Sequence, residues 1–202
     1  MSDAFAHPSI LQGTHVSLVP LTGAHAAPMR DAVRDGALAS LWYTQVPDVA
    51  GVDAYLDDAF AMRDAGTAVP YAVLDAEGVV VGSTRFYRLD ARTPRVTIGY
   101  TWIVPRVQRT GLNTEAKLLL LAHAFDTLGC AAVAFETSWF NQASRTAIER
   151  LGATQDGVLR NHMRHPDGSL RDTVVFSILD SEWPNVRTHL QTRLARGSSN
   201  EH

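Results

Sequence analysis

The stretch Gln108-Arg109-Thr110-Gly111-Leu112-Asn113 runs straight into Thr114-Glu115-Ala116-Lys117-Leu118-Leu119-Leu120-Leu121, and its reading decides the fold. Before it stands Arg95-Val96-Thr97-Ile98-Gly99-Tyr100-Thr101-Trp102-Ile103-Val104, a run of strand-forming residues. A strand therefore leads through a short loop into a helix. A helix N-terminus carries unpaired backbone N–H groups and the positive end of the helix dipole, a combination that suits a phosphate. Arg106 and Arg109 add charge beside it. The loop reads as a pyrophosphate cradle.

Two phosphate motifs do not fit. A P-loop requires Lys-Ser or Lys-Thr at the helix start, whereas Lys117 lies farther in with no hydroxyl residue after it. A dinucleotide fold requires three spaced glycines, and this loop holds Gly111 alone.

Working outward, the rest alternates strands and helices. Thr14–Leu21 reads as a strand, and Thr22 as the cap of a helix to about Asp35. A second helix is expected over Gly51–Ala65. Strands follow over Tyr71–Asp75, Val79–Arg88 and Arg95–Val104. The loop's helix is expected over Gly111–Leu128, then a strand over Ala131–Ser138 and a short helix over Asn141–Leu151, stopped by Gly152. Strands near Thr154–His162 and Arg171–Leu179 flank the turn His165-Pro166-Asp167-Gly168, and a last helix spans Glu182–Leu194. This order gives an α/β fold in one domain, residues 1–196, with a mixed, mostly antiparallel sheet of about seven strands flanked by helices. Residues 197–202 read as a disordered tail.

Composition narrows the function. The 202 residues carry a net charge of −3, which gives no bulk attraction to nucleic acid. No segment has the length of a membrane-spanning helix, and the N-terminus lacks a signal-peptide pattern. Cys130 is the only cysteine, which excludes an internal disulfide and a cysteine-built zinc site and fits a reducing, cytoplasmic setting. It reads as a buried structural thiol. His123 reads as packing, and His7, His15 and His25 show no metal-ligand spacing, so no metal is expected.

The loop resembles the acyl-CoA loop of the GNAT N-acetyltransferase superfamily, Gln/Arg-x-x-Gly-x-Gly/Ala, with Asn113 at the last, normally small position. Asn141-Gln142-Ala143-Ser144-Arg145-Thr146-Ala147-Ile148-Glu149-Arg150-Leu151-Gly152-Ala153 resembles the family's second signature, an Asn-x-x-Ser helix start that ends at Leu-Gly. The resemblance covers about Val16 to Leu179. Within it, the ribosomal-protein N-terminal acetyltransferase (RimJ/RimL-like) branch matches best.

That resemblance implies acetyl-CoA as donor and a primary amine as acceptor, either a protein N-terminus or a small-molecule amine, with direct attack in a ternary complex. It puts the cofactor on Gln108, Arg109, Thr110, Gly111, Leu112, Asn113 and Thr114 and on Trp102, Ile103 and Val104, with backbone N–H groups of the Thr101–Ile103 segment polarising the carbonyl. It also implies that this strand splays from the next, leaving room for the pantetheine arm. Asn141 would hold the arm and Ser144 would stabilise the thiolate, although Asn141 also serves as an N-cap. Arg145 reaches either the cofactor's 3′-phosphate or only solvent.

The general base has several candidates. The family's usual carboxylate position holds Thr97, and its usual tyrosine position holds Ile148. Glu136 and His162 remain as catalytic candidates, Glu136 alternatively pairing with Arg150 or Arg160, and His162 being a surface histidine. An amine of low pKa needs only a water chain. Trp42, Tyr43 and Tyr100 are candidate walls for the acceptor, and Asp48, Asp53, Asp57 and Asp58 either attract a cationic amine or form a solvated helix face. The gaps at Thr97 and Ile148 keep a non-catalytic acyl-CoA sensor open, and a larger acyl group such as succinyl is a further alternative. Exposed late strands allow a homodimer.

Overall fold

The computed structural model describes residues 5, 7–34, 37–165 and 167–198. Asp35, Pro166 and residues 199–202, on which parts of the expected first helix, late turn and tail fall, lie outside them. Eight strands form one sheet: β1 (Leu11–Gln12), β2 (Val16–Pro20), β3 (Ala68–Asp75), β4 (Val80–Asp90), β5 (Arg95–Ile103), β6 (Ala132–Ser138), β7 (Thr154–Arg164) and β8 (Leu170–Leu179). The order is β1-β2-β3-β4-β5-β6-β8-β7. The strand missed from sequence is β1, only two residues long and too short to show a periodicity.

The helices are α1 (Ala26–Arg34), α2 (Val52–Asp64), α3 (Gly111–Ala122), α4 (Gln142–Glu149) and α5 (Trp183–Ser198). Expected bounds shift at three places. A 3-10 turn, Gly23–His25, precedes α1, with Thr22 and His25 closing a capping box. A π-helical turn, His123–Thr127, ends α3. The last helix continues into the expected tail as far as Ser198.

All strand pairs are antiparallel except β5 with β6, which are parallel and joined by α3. The sheet therefore has two differently used faces. Strand alternation sends Arg85 and Trp102 toward α2, where they meet Asp58 and Tyr55. It sends Phe86 and Thr101 the other way, toward His123 and Lys117 at α3. On that second face α5 closes the layer: Trp183 stacks on Phe125 at 5.3 Å between centroids and donates its indole N–H to Asp126 at 3.0 Å. The carbonyl of Arg150, at the end of α4, meets the His189 ring of α5 at 3.0 Å. Thus α3, α4 and α5 share one face, and α1 and α2 cover the other.

The feature that positions the site is a seam in the middle of the sheet. The β5–β6 ladder runs from Arg95↔Ala132 to Ile98↔Phe135 and stops there. Beyond it, β5 keeps its pairing with β4 to Ile103, and β6 keeps its pairing with β8 to Ser138. The cause is a β-bulge: Ser83 and Arg85 pair with Trp102 and Gly99, so two steps on β4 match three on β5. The extra residue is accommodated at Tyr100, which has φ of 51°. The bulge bends β5 toward β4 and opens a gap beside β6.

Candidate active site

The cradle begins where β5 ends. A 3-10 turn, Pro105–Val107, leads to Gln108, whose side-chain amide donates to the Ile103 carbonyl at 2.9 Å and ties the loop to the strand. Arg109 then reverses the chain at φ 64°. Thr110 caps α3: its hydroxyl donates to the Val107 carbonyl at 2.8 Å and accepts from the Leu112 amide at 3.2 Å. The remaining first-turn amides, on Gly111 and Asn113, have no partner within the helix. Beside them Asn113 Oδ1 is buried and has no hydrogen-bond partner among the described residues.

One sequence reading of this loop is revised, and the side on which Gly111 is bare becomes visible. Arg106 is held by Asp75 at 3.2 Å, so its charge is not wholly free for a phosphate, and Arg109 is the exposed cation without an ion pair among the described residues. The bare side of Gly111 faces away from the cradle: a Cβ there would lie 3.5 Å from Leu194 and 3.6 Å from His15. A bulky residue at Gly111 would strike α5 and leave the cradle open.

Along the seam, backbone direction decides which amides are available. The Val104 amide donates to Val81 of β4 at 2.8 Å. N–H directions alternate in an antiparallel pair, so Trp102 also turns toward β4, while Thr101 and Ile103 turn toward the gap. Of Trp102, Ile103 and Val104, only Ile103 offers its amide to the seam, and of the expected Thr101–Ile103 segment Thr101 does so as well. Trp102 is buried against Tyr55 and lines the core.

Across the seam, Asn141 caps α4 by accepting the Ser144 amide at 3.0 Å, and Ser144 is half-buried. Arg145 folds back over Trp139 at 4.4 Å and donates to the Gln142 side chain at 3.2 Å, so reaching a distant phosphate would require leaving both. Ile148 is buried.

The opposite face of the bulge is polar. A cavity of about 230 Å³ is lined by Gln45, Tyr55, Asp58, Arg85 and Tyr100. The Arg85 guanidinium, fully buried, lies 4.7 Å from the Tyr55 ring and 4.1 Å from the Tyr100 ring and donates to Asp58 at 2.7 Å. Next to it, Tyr87 packs edge-on to Tyr100 at 5.2 Å and donates its hydroxyl to Glu136 at 3.4 Å. Arg88 pairs with the other oxygen of Glu136. Burial, reinforced by Glu136, pushes the Tyr87 phenol well above its usual range and keeps it a donor, and burial raises Tyr100 as well. Arg171 of β8 completes the cluster, with Tyr87, Glu136 and Tyr100 acting on its charge. Glu136 thus has partners other than the expected Arg150 and Arg160; Arg160 binds Asp172 instead.

His162 is exposed on β7, with β8 standing between it and β6, so it is not brought beside Glu136. Trp42, 46% exposed, joins Tyr43, Phe140 and His165 in an aromatic wall, at 5.6, 5.3 and 4.7 Å between ring centroids. This wall links the α1–α2 connection, the start of α4 and the late hairpin. Cys130 is buried and its thiol is pushed up to about 11, which makes it a poor nucleophile. Among the described residues no cluster suited to a metal is found. Sequence reading missed Arg85, Tyr55, Tyr87, Arg88 and Gln45. The one available signal was Arg85, a charge at an inward position of an otherwise buried strand.

Residues 15–154 match the family model described as acetyltransferase (GNAT) domain. The chain belongs to this family. Two solved structures and one curated relative illustrate the likeness. A GCN5-related N-acetyltransferase from Brucella melitensis superposes with a TM-score of 0.84 at 32% identity, over 93% of this chain and 86% of that one. YdaF of Bacillus subtilis strain 168, provisionally named a ribosomal N-acetyltransferase, is 31% identical over 107 residues. That match covers 53% of this chain and 57% of YdaF, so the chain spans little more than half of that relative's length. RimJ of Mycobacterium smegmatis, solved with CoA-disulfide, shares the fold at a TM-score of 0.77 and 19% identity, over 93% of this chain and 96% of that one. No helix among the described residues is long and apolar enough to cross a membrane.

Proposed function

We propose that this acyltransferase moves the acetyl group of acetyl-CoA to a primary amine, on a protein N-terminus or a small molecule, by direct attack in a ternary complex. The observation that carries this reading is the open seam beyond Ile98 and Phe135, with the capped start of α3 at one end and the Glu136–Tyr87–Tyr100 cluster at the other.

The chain's residues fit the donor. Free amides at Gly111 and Asn113, with Arg109, suit the pyrophosphate. The pantetheine arm would enter between α3 and α4, where Asn141 and Ser144 wait. The Thr101 and Ile103 amides would hold the arm and polarise the carbonyl, a role in which fixed donors gain strength from a water-poor site. The acceptor would approach from the other face, through the cavity lined by Gln45, Tyr55, Asp58, Arg85 and Tyr100. Glu136 would accept the proton of the attacking amine, directly or through water. Trp42, Tyr43 and Phe140 would wall the acceptor's path. The lone Cys130 fits a reducing compartment, and we place the reaction in the cytoplasm.

The test is calorimetric titration with acetyl-CoA and CoA, followed by thiol release with a panel of amines that includes peptide N-termini. Wild type should bind both, and Arg109→Glu should weaken both about tenfold or more. Binding without thiol release by any amine would favour the acyl-CoA sensor instead. No binding by folded wild type would remove both.

A further inference from the structure

Lys117 is the one buried cation that the site described above does not use. It lies in the second turn of α3, its residue only 8% exposed, on the face turned to the sheet. Its ammonium nitrogen donates to the Thr101 hydroxyl at 2.8 Å. Thr101 is the residue after the bulge, it is exposed, and its amide turns into the seam. The Thr101 hydroxyl in turn shares a hydrogen bond with Thr84 at 2.8 Å. Among the described residues Lys117 has no other hydrogen-bond partner and no carboxylate pair. An ammonium has three N–H donors, so two are unspent.

We propose that Lys117 is the acid that protonates the departing CoA thiolate, delivering its proton from the α3 wall of the seam. The proposal rests on the acetyl-transfer reading. The acceptor nitrogen forms the C–N bond, the C–S bond breaks, and sulfur keeps the electron pair. A Lys117 N–H proton passes to that sulfur, giving the free thiol. The proton lost by the acceptor leaves through Glu136 or water, and the neutral Lys117 amine is reprotonated from solvent.

Three observations favour this over a packing role. A lysine buried on an apolar helix face is costly, and Leu or Met would fill the space without that cost. Burial alone pulls its pKa down to about 7, low enough to give a proton to a thiolate whose own pKa is about 8.5. The neighbouring charges do not contribute: Glu115 of α3 accepts the Thr14 and His15 amides, Arg187 of α5 binds Asp126, and Arg193 of α5 donates to the Arg150 carbonyl. Nor does either α4 side chain named at the seam supply another acid. Ile148 is apolar, and the Ser144 hydroxyl can steady a thiolate but is far too weak an acid to protonate it.

The experiment compares wild type with K117M, K117A and T101V in thiol release across pH, using acetyl-CoA and the amine that wild type acetylates best. For K117M, kcat should fall about 100-fold and the alkaline limb of its pH profile should disappear, with acetyl-CoA affinity within about threefold of wild type. Methylammonium should restore part of the K117A rate. T101V removes the acceptor that favours the charged amine, so its alkaline limb should move to lower pH. This variant carries the test if either Lys117 substitution prevents folding. An active wild type beside a K117M enzyme with unchanged kcat and an intact alkaline limb overturns the proposal alone, as does an unmoved limb in T101V. A wild type that releases no thiol with any amine overturns the transfer reading as well.

Discussion

Removing Asp58 should destabilise the protein more than removing the arginine it pairs with. The Arg85 guanidinium has 0% exposure, and its Nε has no partner. Asp58 supplies its only carboxylate, at 2.7 Å; the Tyr55 carbonyl and the Met62 sulfur, each at 3.4 Å, are marginal, and two tyrosine rings supply the rest. In Asp58→Ala the cation stays buried with those weak partners. Breaking a buried pair from one side costs about 3–5 kcal/mol. Here Asp58 is 58% exposed, so water in the adjoining cavity can replace part of its contribution, and about 2 kcal/mol is the better expectation. For a chain of this size that lowers Tm by about 4–8 °C. Arg85→Met instead removes the buried charge and leaves Asp58 hydrated, with an unbranched side chain in the same slot, so its cost should stay within about 1 kcal/mol. The double variant should match Arg85→Met. Thermal and urea unfolding of the three proteins measures this. The reasoning is refuted if Arg85→Met is the more damaging single change, or if Asp58→Ala costs less than about 0.5 kcal/mol.

Other outcomes follow from the same geometry. Glu136→Gln keeps the size and the contact with Tyr87 but cannot take a proton, so kcat should fall about 100-fold with acetyl-CoA binding unchanged in calorimetry. Gly99→Ala places a methyl 2.6 Å from the Tyr87 ring, which must leave Glu136; stability should drop by about 1–3 kcal/mol and activity with it, measured by unfolding and thiol release. Lys117 adds a pH signature to stability. Its folded pKa, about 7, lies below the ordinary lysine value, so between pH 7 and 10 the unfolded chain binds more protons and stability from this group rises with pH. The buried Cys130 thiol, raised to about 11, acts in the opposite sense above about pH 9. A rise in Tm from pH 7 to 8.5 that K117M flattens is therefore expected; an equal slope in both proteins would contradict the burial of a charge there.

The capped start of α3 was legible because a cap, a glycine and an apolar helix face are local properties of Thr110, Gly111 and the leucines after them. The same holds for Asn141 and the start of α4. Contacts between distant segments left no such trace. Glu136 meets Arg88 and Tyr87, 48 and 49 residues away, and nothing in the sequence preferred these to Arg150 or Arg160. The amide directions of Trp102, Ile103 and Val104 depend on a single extra residue at Tyr100, and a bulge shifts the alternation without changing composition. Lys117 entered the sequence reading only to exclude a P-loop, because its burial is set by the sheet beneath it.

The bulge would also let one short segment serve two substrates, as the proposed reading requires. Residues Gly99 to Ile103 would alternate regularly in an unbroken strand, and β6 would pair with them. The extra residue turns the Tyr100 ring to the α2 face, against Arg85, and sends Thr101 to the α3 face, against Lys117. It also frees the Thr101 and Ile103 amides in the plane between. On the proposed reading, acceptor wall, acyl cradle and proton donor would be consecutive residues or their direct partners. A change that restored regular pairing, such as deleting Tyr100, should close the seam and abolish acetyl-CoA binding and catalysis together. A Tyr100→Phe change keeps the bulge and the ring, and should leave donor affinity intact while altering only the KM for the amine. If instead the deletion still bound acetyl-CoA as wild type does, the seam would not be the donor's seat.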